Sequence, residues 1–174
     1  QNQYTPDTFY LHLSKKNYNQ IVKLRSDSFL TPRNYLNHQG WQWVGERPWV
    51  KAVIVHDNDS LKHAKVKLMG MNSDHFREGS NWSLRVKLNN GNFYHGYSKF
   101  NLLNPYSRGF FIDQFYNSLY KREGGLYIDQ LPVYTKLGDY INPQVIEPFF
   151  SKELLESQQR RDYLIFTFDS TDRN

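Results

Sequence analysis

The sequence predicts one α+β domain, in which a mostly antiparallel sheet carries about three packed helices. About seven or eight short segments alternate apolar and polar residues, which is the pattern of half-buried strands. Turns rather than helical crossovers join most of these segments, and this favours antiparallel pairing. A length of 174 residues fits a single domain, which we place at residues 1–168 with a polar tail at 169–174.

The strand pattern is clearest where charged residues alternate with apolar ones. In the segment 82–88 the apolar residues face the core, whereas Ser83, Arg85 and Lys87 face outward. Lys65 and Lys67 face outward in the same way from the segment before it. The predicted strands are 8–13, 49–56, 64–69, 82–88, 93–103, 131–136, 140–146 and 163–168.

Three segments have helical signals. Ser14 is a predicted N-cap for a helix that runs to about Phe29, and Ser151 caps a short helix at 152–158. Asn104 and Pro105 begin the middle helix, which Gly124 and the glycine after it end. We expect this helix to pack on the sheet through its apolar stripe, which consists of Phe111, Ile112, Phe115, Tyr116 and Leu119.

The composition argues against several partners and sites. The net charge of +5 comes from 22 basic and 17 acidic residues without a block of Lys or Arg, so a nucleic-acid partner is not expected. The absence of cysteine excludes disulfides and thiolate metal sites, and the six histidines lack metal-ligand spacing. No apolar run has the roughly 20 residues that span a bilayer. The compartment stays open between the bacterial cytoplasm and the cell surface.

The aromatic content of 17% has two interpretations. Tyr, Phe and Trp suit the pleated surface of a sheet and its core. Alternatively, an aromatic cluster forms a platform for carbohydrate, and Trp41, Trp43 and Trp49 lie close together in a turn-rich segment.

Four stretches, taken in order, resemble the spore coat protein H (CotH) family of atypical kinases. VKLMGMNS at 66–73 is similar to a strand that ends in an RGNSS loop, and SLRVKL at 83–88 is similar to a KKSYRLKF strand. The helix at 104–125 and the segment VIEPFFSKELLE at 145–156 follow in the family's order. The resemblance covers residues 9–169. Asn81 and Trp82 stand where the family has a Lys, and 137–142 lacks a later glycine.

The resemblance implies the fold of a kinase small lobe, with ATP and Mg²⁺ as cofactors of the full-length family. Arg85 and Lys87 are then candidate phosphate ligands, and Glu147 borders the nucleotide pocket. The alternative interpretation makes Arg85 and Lys87 solvated residues of an amphipathic strand and Glu147 a structural carboxylate near the last helix. Asp113 or Glu123 of the middle helix could pair with Lys87. The loop 70–81 resembles a phosphate-covering loop in composition.

The resemblance also implies that the catalytic half of the kinase is missing from this chain. Family members continue into a second half in which a catalytic Asp and an Asp/Asn pair hold the metal, and this chain has no counterpart of them. We therefore expect a part of a Ser/Thr kinase that is inactive alone, with a protein substrate or a surface polymer as its partner. The alternative function is a non-catalytic binding module for polysaccharide or a cell-surface partner.

Overall fold

The chain folds into a closed β-barrel. A computed structural model describes residues 6–30, 47–56, 60–70, 73–76, 79–89, 91–109 and 112–160. Seven strands surround one core in the order β1-β2-β3-β4-β5-β7-β6. They are β1 Asp7–His12, β2 Val50–His56, β3 Ser60–Leu68, β4 Leu84–Leu88, β5 Lys99–Leu103, β6 Leu131–Leu137 and β7 Tyr140–Pro148.

One parallel pair closes the barrel. β1 lies antiparallel to β2 on one side and parallel to β6 on the other, where Asp7 is opposite Val133 and Leu11 is opposite Leu137. Every other pair of neighbouring strands is antiparallel. Each of the seven strands therefore has two hydrogen-bonded neighbours.

The prediction of an α+β domain like the small lobe of an atypical kinase is wrong. The described residues form a closed mixed barrel, mostly sheet, with only three short helices around it. The physical reason is that closure depends on pairing between the first strand and the sixth, which are far apart in the sequence. Apolar alternation fixes which residues of a strand face inward, but it does not specify the neighbour of that strand.

The core consists of the inward residues of all seven strands. Val66, Val86, Phe100 and Leu102 are fully buried at its centre. Phe9 makes an edge-on contact with Tyr94, whose ring centre lies 4.6 Å from that of Phe9. Burying apolar surface at about 25 cal/mol per Å² makes this cluster the main source of stability. The alternation that predicted inward Leu84, Val86 and Leu88 is correct.

Two helices pack on the barrel. α1, Lys15–Leu30, buries Ile21 completely, and Ser14 Oγ accepts a hydrogen bond from the Asn17 amide at 3.2 Å, as expected of an N-cap. α3, Lys152–Ser157, buries Leu154 and Leu155. None of the helices within the described ranges is both long and apolar enough to cross a bilayer.

The predicted middle helix is interrupted. Asn104 Oδ1 accepts a hydrogen bond from the Tyr106 amide and caps a 3₁₀ helix, Pro105–Arg108, which Gly109 ends at a φ of 62°. α2 then runs over Ile112–Arg122. The expectation that its apolar stripe packs on the sheet is wrong, because α2 has no buried residue.

Two other local predictions need correction. The strand predicted at 93–103 is restricted to Lys99–Leu103, since a tight turn with positive φ at His95 and Gly96 occupies its first part. Ser83, predicted to face outward, is fully buried just before β4 begins. The strand predicted at 163–168 and the tail lie outside the described residues.

Candidate anion-binding face

Two rows of polar side chains cross the outside of the barrel. The first, here called the lysine row, joins four neighbouring strands from β2 to β5. Lys51 is directly opposite Lys65, Lys65 is opposite Lys87, and Lys87 is opposite Lys99. Because neighbouring strands are about 4.8 Å apart, four positive charges are spread over roughly 14 Å with no acidic residue among them.

The second row, here called the arginine row, lies two residues further along the same strands. Lys67 of β3 is opposite Arg85, Arg85 is opposite Asn101, and Asn101 is opposite Glu147 of β7. We call the two rows together the cationic face. Their outward direction follows from the strands, since the residues on either side of Arg85 and Lys87 are buried in the core.

Hydrogen bonds order the carboxylate end of the arginine row. Arg85 Nε donates to Asn101 Oδ1 at 3.2 Å, and Asn101 Nδ2 donates to Glu147 Oε1 at 3.4 Å. Gln130 Nε2 donates to the other carboxylate oxygen of Glu147 at 2.9 Å. The buried Asn101 amide therefore connects Arg85 to Glu147 and holds both side chains in place.

Phe149 supports two of the cations. The Arg85 guanidinium carbon lies 4.5 Å from the centre of its ring, and Lys99 Nζ lies 4.4 Å from it. Lys67 Nζ lies 5.0 Å from the ring centre of Trp49 in a similar way. Cation–π contacts of this kind hold long side chains over a surface without neutralising them.

Partial burial, and after it the neighbouring like charges, lower the pKa values of Lys67, Lys99 and Arg47. Partial burial, followed by the charges of Arg85, Lys99 and Arg47, lowers the pKa of Lys67. Partial burial and then Arg85 and Lys87 lower the pKa of Lys99. Burial and the charge of Arg85 lower the pKa of Arg47 to about 10. The protein therefore holds these groups protonated against an unfavourable potential.

Such an arrangement opposes stability unless an anion occupies it. Like charges directly opposite one another in a sheet are destabilising, by up to roughly 1 kcal/mol for a pair. A bound anion removes this repulsion and gains hydrogen bonds to several charged donors, each worth about 1.5–3 kcal/mol. The cationic face can therefore bind a multiply charged anion.

A groove of about 260 Å³ adjoins the cationic face at Lys99. Tyr97, Phe149 and Phe150 supply its aromatic lining, and Glu153 supplies its carboxylate. A hydrogen bond from the Ser151 side chain is the main cause that lowers the pKa of Glu153. The groove is small for a binding pocket, and its size suits one ring or one polar group rather than an entire large ligand.

The described part of the loop 70–81 has a structural role. Ser80 Oγ donates to Asn142 Oδ1 at 3.1 Å, and Asn81 Nδ2 donates to the Pro143 carbonyl at 3.1 Å. These bonds attach the loop to β7. Gly79, Ser80 and Asn81 therefore act in the fold, whereas Arg77, which the predicted phosphate-covering loop also includes, lies outside the described residues.

The structure brings the three predicted site residues onto one face. Arg85 and Glu147 share the arginine row through Asn101, and Lys87 occupies the neighbouring row. The possible helix partner Glu123 instead pairs with Arg122, at 3.0 Å. Of the three tryptophans considered for carbohydrate binding, Trp41 and Trp43 lie outside the described residues.

Sequence reasoning missed the other members of the site, which are Lys51, Lys65, Lys67, Lys99, Asn101 and Phe149. Alternation did predict that Lys65 and Lys67 face outward, as Arg85 and Lys87 do. The register of β3 against β4 is what makes them neighbours. Lys99 was obscured because the strand was predicted to begin at residue 93 rather than at residue 99.

The cationic face has few side chains that could ligate a metal ion. Within them no group of three or more His, Asp or Glu side chains is placed to hold a metal ion. Glu147 is already bonded to Asn101 and Gln130. We therefore assign no step of a reaction to a metal at this face.

No protein-family model matches the chain. No curated protein matches its sequence either.

Proposed function

We propose that the cationic face binds the phosphate groups of a nucleotide such as ATP, as the nucleotide-holding part of a phosphotransferase similar to the CotH family. The observation that carries the proposal is the lysine row, in which neighbouring strands hold lysines directly opposite one another. The proposal depends on this face and not on the fold, since the closed barrel differs from the architecture that the resemblance implied.

The chemistry of the face favours phosphate among anions. Arginine donates two parallel hydrogen bonds to a phosphate, and lysine serves as a mobile point charge beside it. Arg85 is held in one orientation by Asn101 and Phe149, whereas Lys87 is exposed and adjusts to the ligand. A triphosphate carries several negative charges, so different phosphate groups can bind cations of the two rows at the same time.

The groove beside Lys99 favours a nucleotide over free phosphate. Its aromatic residues offer a surface for a base or a sugar next to the phosphate-binding cations. Phosphoryl transfer consists mainly of positioning and charge neutralisation, and it needs carboxylates that hold metal ions as well as cations. The proposal therefore assigns nucleotide binding to these residues and leaves transfer to carboxylates outside them.

Isothermal titration calorimetry of the 174-residue chain at low salt tests the proposal. We expect ATP to bind more tightly than AMP, because each added phosphate reaches another cation. Arg85→Gln should weaken ATP binding by about tenfold, which corresponds to about 1.4 kcal/mol. Raising the salt concentration should weaken it further, since the contacts are mainly electrostatic.

Lys136→Gln is the matched control. Lys136 is a half-buried lysine on β6, three strands away from β4 around the barrel, and its Nζ lies 6.0 Å from the ring centre of Tyr10. The substitution makes the same change of charge and should leave ATP binding unchanged. No heat at millimolar ATP, or equal losses in the two variants, would contradict the proposal.

A surface polymer is the alternative partner and forms a separate arm of the titration. Dextran sulfate and long-chain polyphosphate present repeated charges without a base. If either binds much more tightly than ATP per mole of site, and if Arg85→Gln weakens it, the face is one for anionic polymers. That result would overturn nucleotide binding while keeping the site.

A further inference from the structure

The groove beside the cationic face lies at one end of the lysine row. Lys99 is the last member of that row, and it lines the groove together with Tyr97 and Ser98. The other lysines of the row extend from Lys99 across three strands, away from the groove. An anion that lies along the row therefore brings any group attached to its Lys99 end to the mouth of the groove.

Phe150 is the accessible aromatic ring of the groove. The Phe149 ring already contacts Arg85 and Lys99, and Tyr97 is buried. Phe150, in contrast, is 49% exposed. An exposed ring beside cations can stack on a planar heterocycle, since every nucleobase has a π-face. The lining therefore favours a planar ring over a flexible chain.

Glu153 places a carboxylate in the groove. It is half-buried in the first turn of α3. A hydrogen bond from Ser151, followed by one from its own backbone amide and one from Ser98, lowers the pKa of this side chain despite its partial burial, so it is ionised at neutral pH. An ionised carboxylate accepts hydrogen bonds and donates none. Because hydroxyl groups rotate, a ligand that enters the groove can replace either serine as a donor to Glu153.

A group that only accepts hydrogen bonds distinguishes the nucleobases by their donor edges. Guanine presents N1–H and the N2 amino group side by side, so both oxygens of a carboxylate can accept from it. Adenine and cytosine each present an amino group beside a ring nitrogen that is itself an acceptor and repels a carboxylate oxygen. Uracil presents N3–H between two carbonyl oxygens, which repel a carboxylate in the same way. A polar group in a binding site discriminates against a ligand that leaves it unpaired.

We propose that the groove receives the six-membered ring of a guanine base, whose N1–H and N2 amino groups donate to the Glu153 carboxylate while Phe150 stacks on the ring. The inference rests on the proposed function, since the phosphates of the same nucleotide lie on the lysine row. It adds a preference for GTP over ATP, which the cationic face alone does not provide, because both nucleotides carry the same triphosphate. A volume of about 260 Å³ suits one ring, so the five-membered ring and the sugar remain at the mouth of the groove beside Lys99.

Isothermal titration calorimetry of the 174-residue chain with GTP, ITP and ATP tests the proposal. We expect GTP to bind at least about tenfold more tightly than ATP, because it donates one more hydrogen bond to a charged acceptor. ITP lacks the amino group of guanine but keeps N1–H, so its affinity should fall between the other two. Equal binding of all three nucleotides would overturn the guanine assignment.

Glu153→Gln should remove the preference. An amide has one acceptor and one donor side, so it matches the edge of adenine better than the edge of guanine. We expect GTP to bind about tenfold more weakly to this variant, whereas ATP should bind no less tightly than before.

Glu156→Gln is the matched control for the loss of charge. Glu156 is exposed on the same helix, and its carboxylate lies 3.5 Å from Lys152 Nζ, outside the groove. The substitution makes the same change of charge and should leave the affinities for GTP and ATP unchanged. Equal losses of GTP affinity in the two variants would contradict the proposal.

Guanosine without phosphate separates this inference from the proposed function. In an NMR titration, guanosine but not adenosine should shift the amide signals of Ser98 and Glu153. If it does, and Arg85→Gln leaves GTP binding unchanged, phosphate binding by the cationic face fails and the guanine groove stands. If guanosine shifts neither signal, GTP and ATP bind equally and Arg85→Gln weakens both, the guanine groove fails and phosphate binding stands.

Discussion

The barrel and α2 distribute their side chains in opposite ways. β4 hides Leu84, Val86 and Leu88 and presents Arg85 and Lys87 to solvent. α2 presents its aromatic residues to solvent and turns Asn117 toward the chain. β4 thus buries all of its apolar residues, whereas α2 buries none of its own completely. The two regions therefore differ in how completely their apolar side chains are buried.

Truncating one phenylalanine in each region should give the largest contrast. Phe100→Ala removes a fully buried ring of the barrel and should cost about 3–5 kcal/mol. Phe115→Ala removes a ring that is 61% exposed and should cost about 1 kcal/mol or less. Urea denaturation of both variants measures the difference. Equal costs would mean that α2 belongs to the core, against the comparison.

Alanine substitutions at two glycines test the same contrast in the backbone. Gly70 beside the barrel has a φ of 93°, and a Cβ there would overlap the His75 ring. Gly124 after α2 has a φ of 70° with open space around it. Gly70→Ala should therefore cost more than Gly124→Ala, which carries only the strain of about 1 kcal/mol. Thermal denaturation checks the order, and a larger cost at Gly124 would contradict it.

Removing the charge of Lys99 and removing the charge of Lys121 should change the stability of the protein in opposite directions. Lys99→Gln should stabilise the protein by a few tenths to about 1 kcal/mol, because it removes repulsion on the cationic face. Lys121 of α2 forms an ion pair with Asp129 at 3.2 Å, and Lys121→Gln should cost at most about 0.5 kcal/mol. The melting temperature reports both signs. A destabilising Lys99→Gln would contradict the prediction and would mean that the contact of Lys99 with Phe149 outweighs the repulsion.

The pH dependence of the stability changes caused by Lys99→Gln and Lys121→Gln should be the smallest of the expected effects. The pKa of Lys99 is lowered, so its repulsion is fully present below that pKa and disappears as pH rises toward the ordinary value of 10.5. The hydrogen bond and charge of Asp129 raise the pKa of Lys121, so its stabilisation is lost only above 10.5. Between pH 8 and pH 10 the gain from Lys99→Gln should shrink, whereas the cost of Lys121→Gln stays constant. Denaturation at the two pH values measures this, and parallel changes would contradict it.

Local pattern predicted the strands well and the architecture poorly. Alternation identified the inward residues of β4 because the side-chain period of a strand is a local property. The pairing of Asp7 with Val133 is not local, and no pattern of six residues encodes it. The apolar stripe of α2 was recognised as well. Amphipathicity alone, however, does not determine whether a helix packs its apolar side on the sheet or leaves it exposed.

The site, like the fold, was predicted from the sequence only in its local features. Alternation placed Arg85 and Lys87 on the outer face of one strand, and this holds in the structure. The repulsion that suggests an anion arises from Lys65, Lys67 and Lys99 on the neighbouring strands. Strand register brings these charges together, and register depends on the whole barrel. A net charge of +5 gave no indication that so many of the charges share one face.

The parallel pairing of β1 with β6 constrains the order of events during synthesis. β1 leaves the ribosome well before β6, and one of its hydrogen-bonding edges must wait until residues 131–137 have been made. At about 5–20 residues per second this interval lasts several seconds or longer. During this interval the nascent chain carries an open strand edge at Phe9 and Leu11, and such an edge is prone to aggregate.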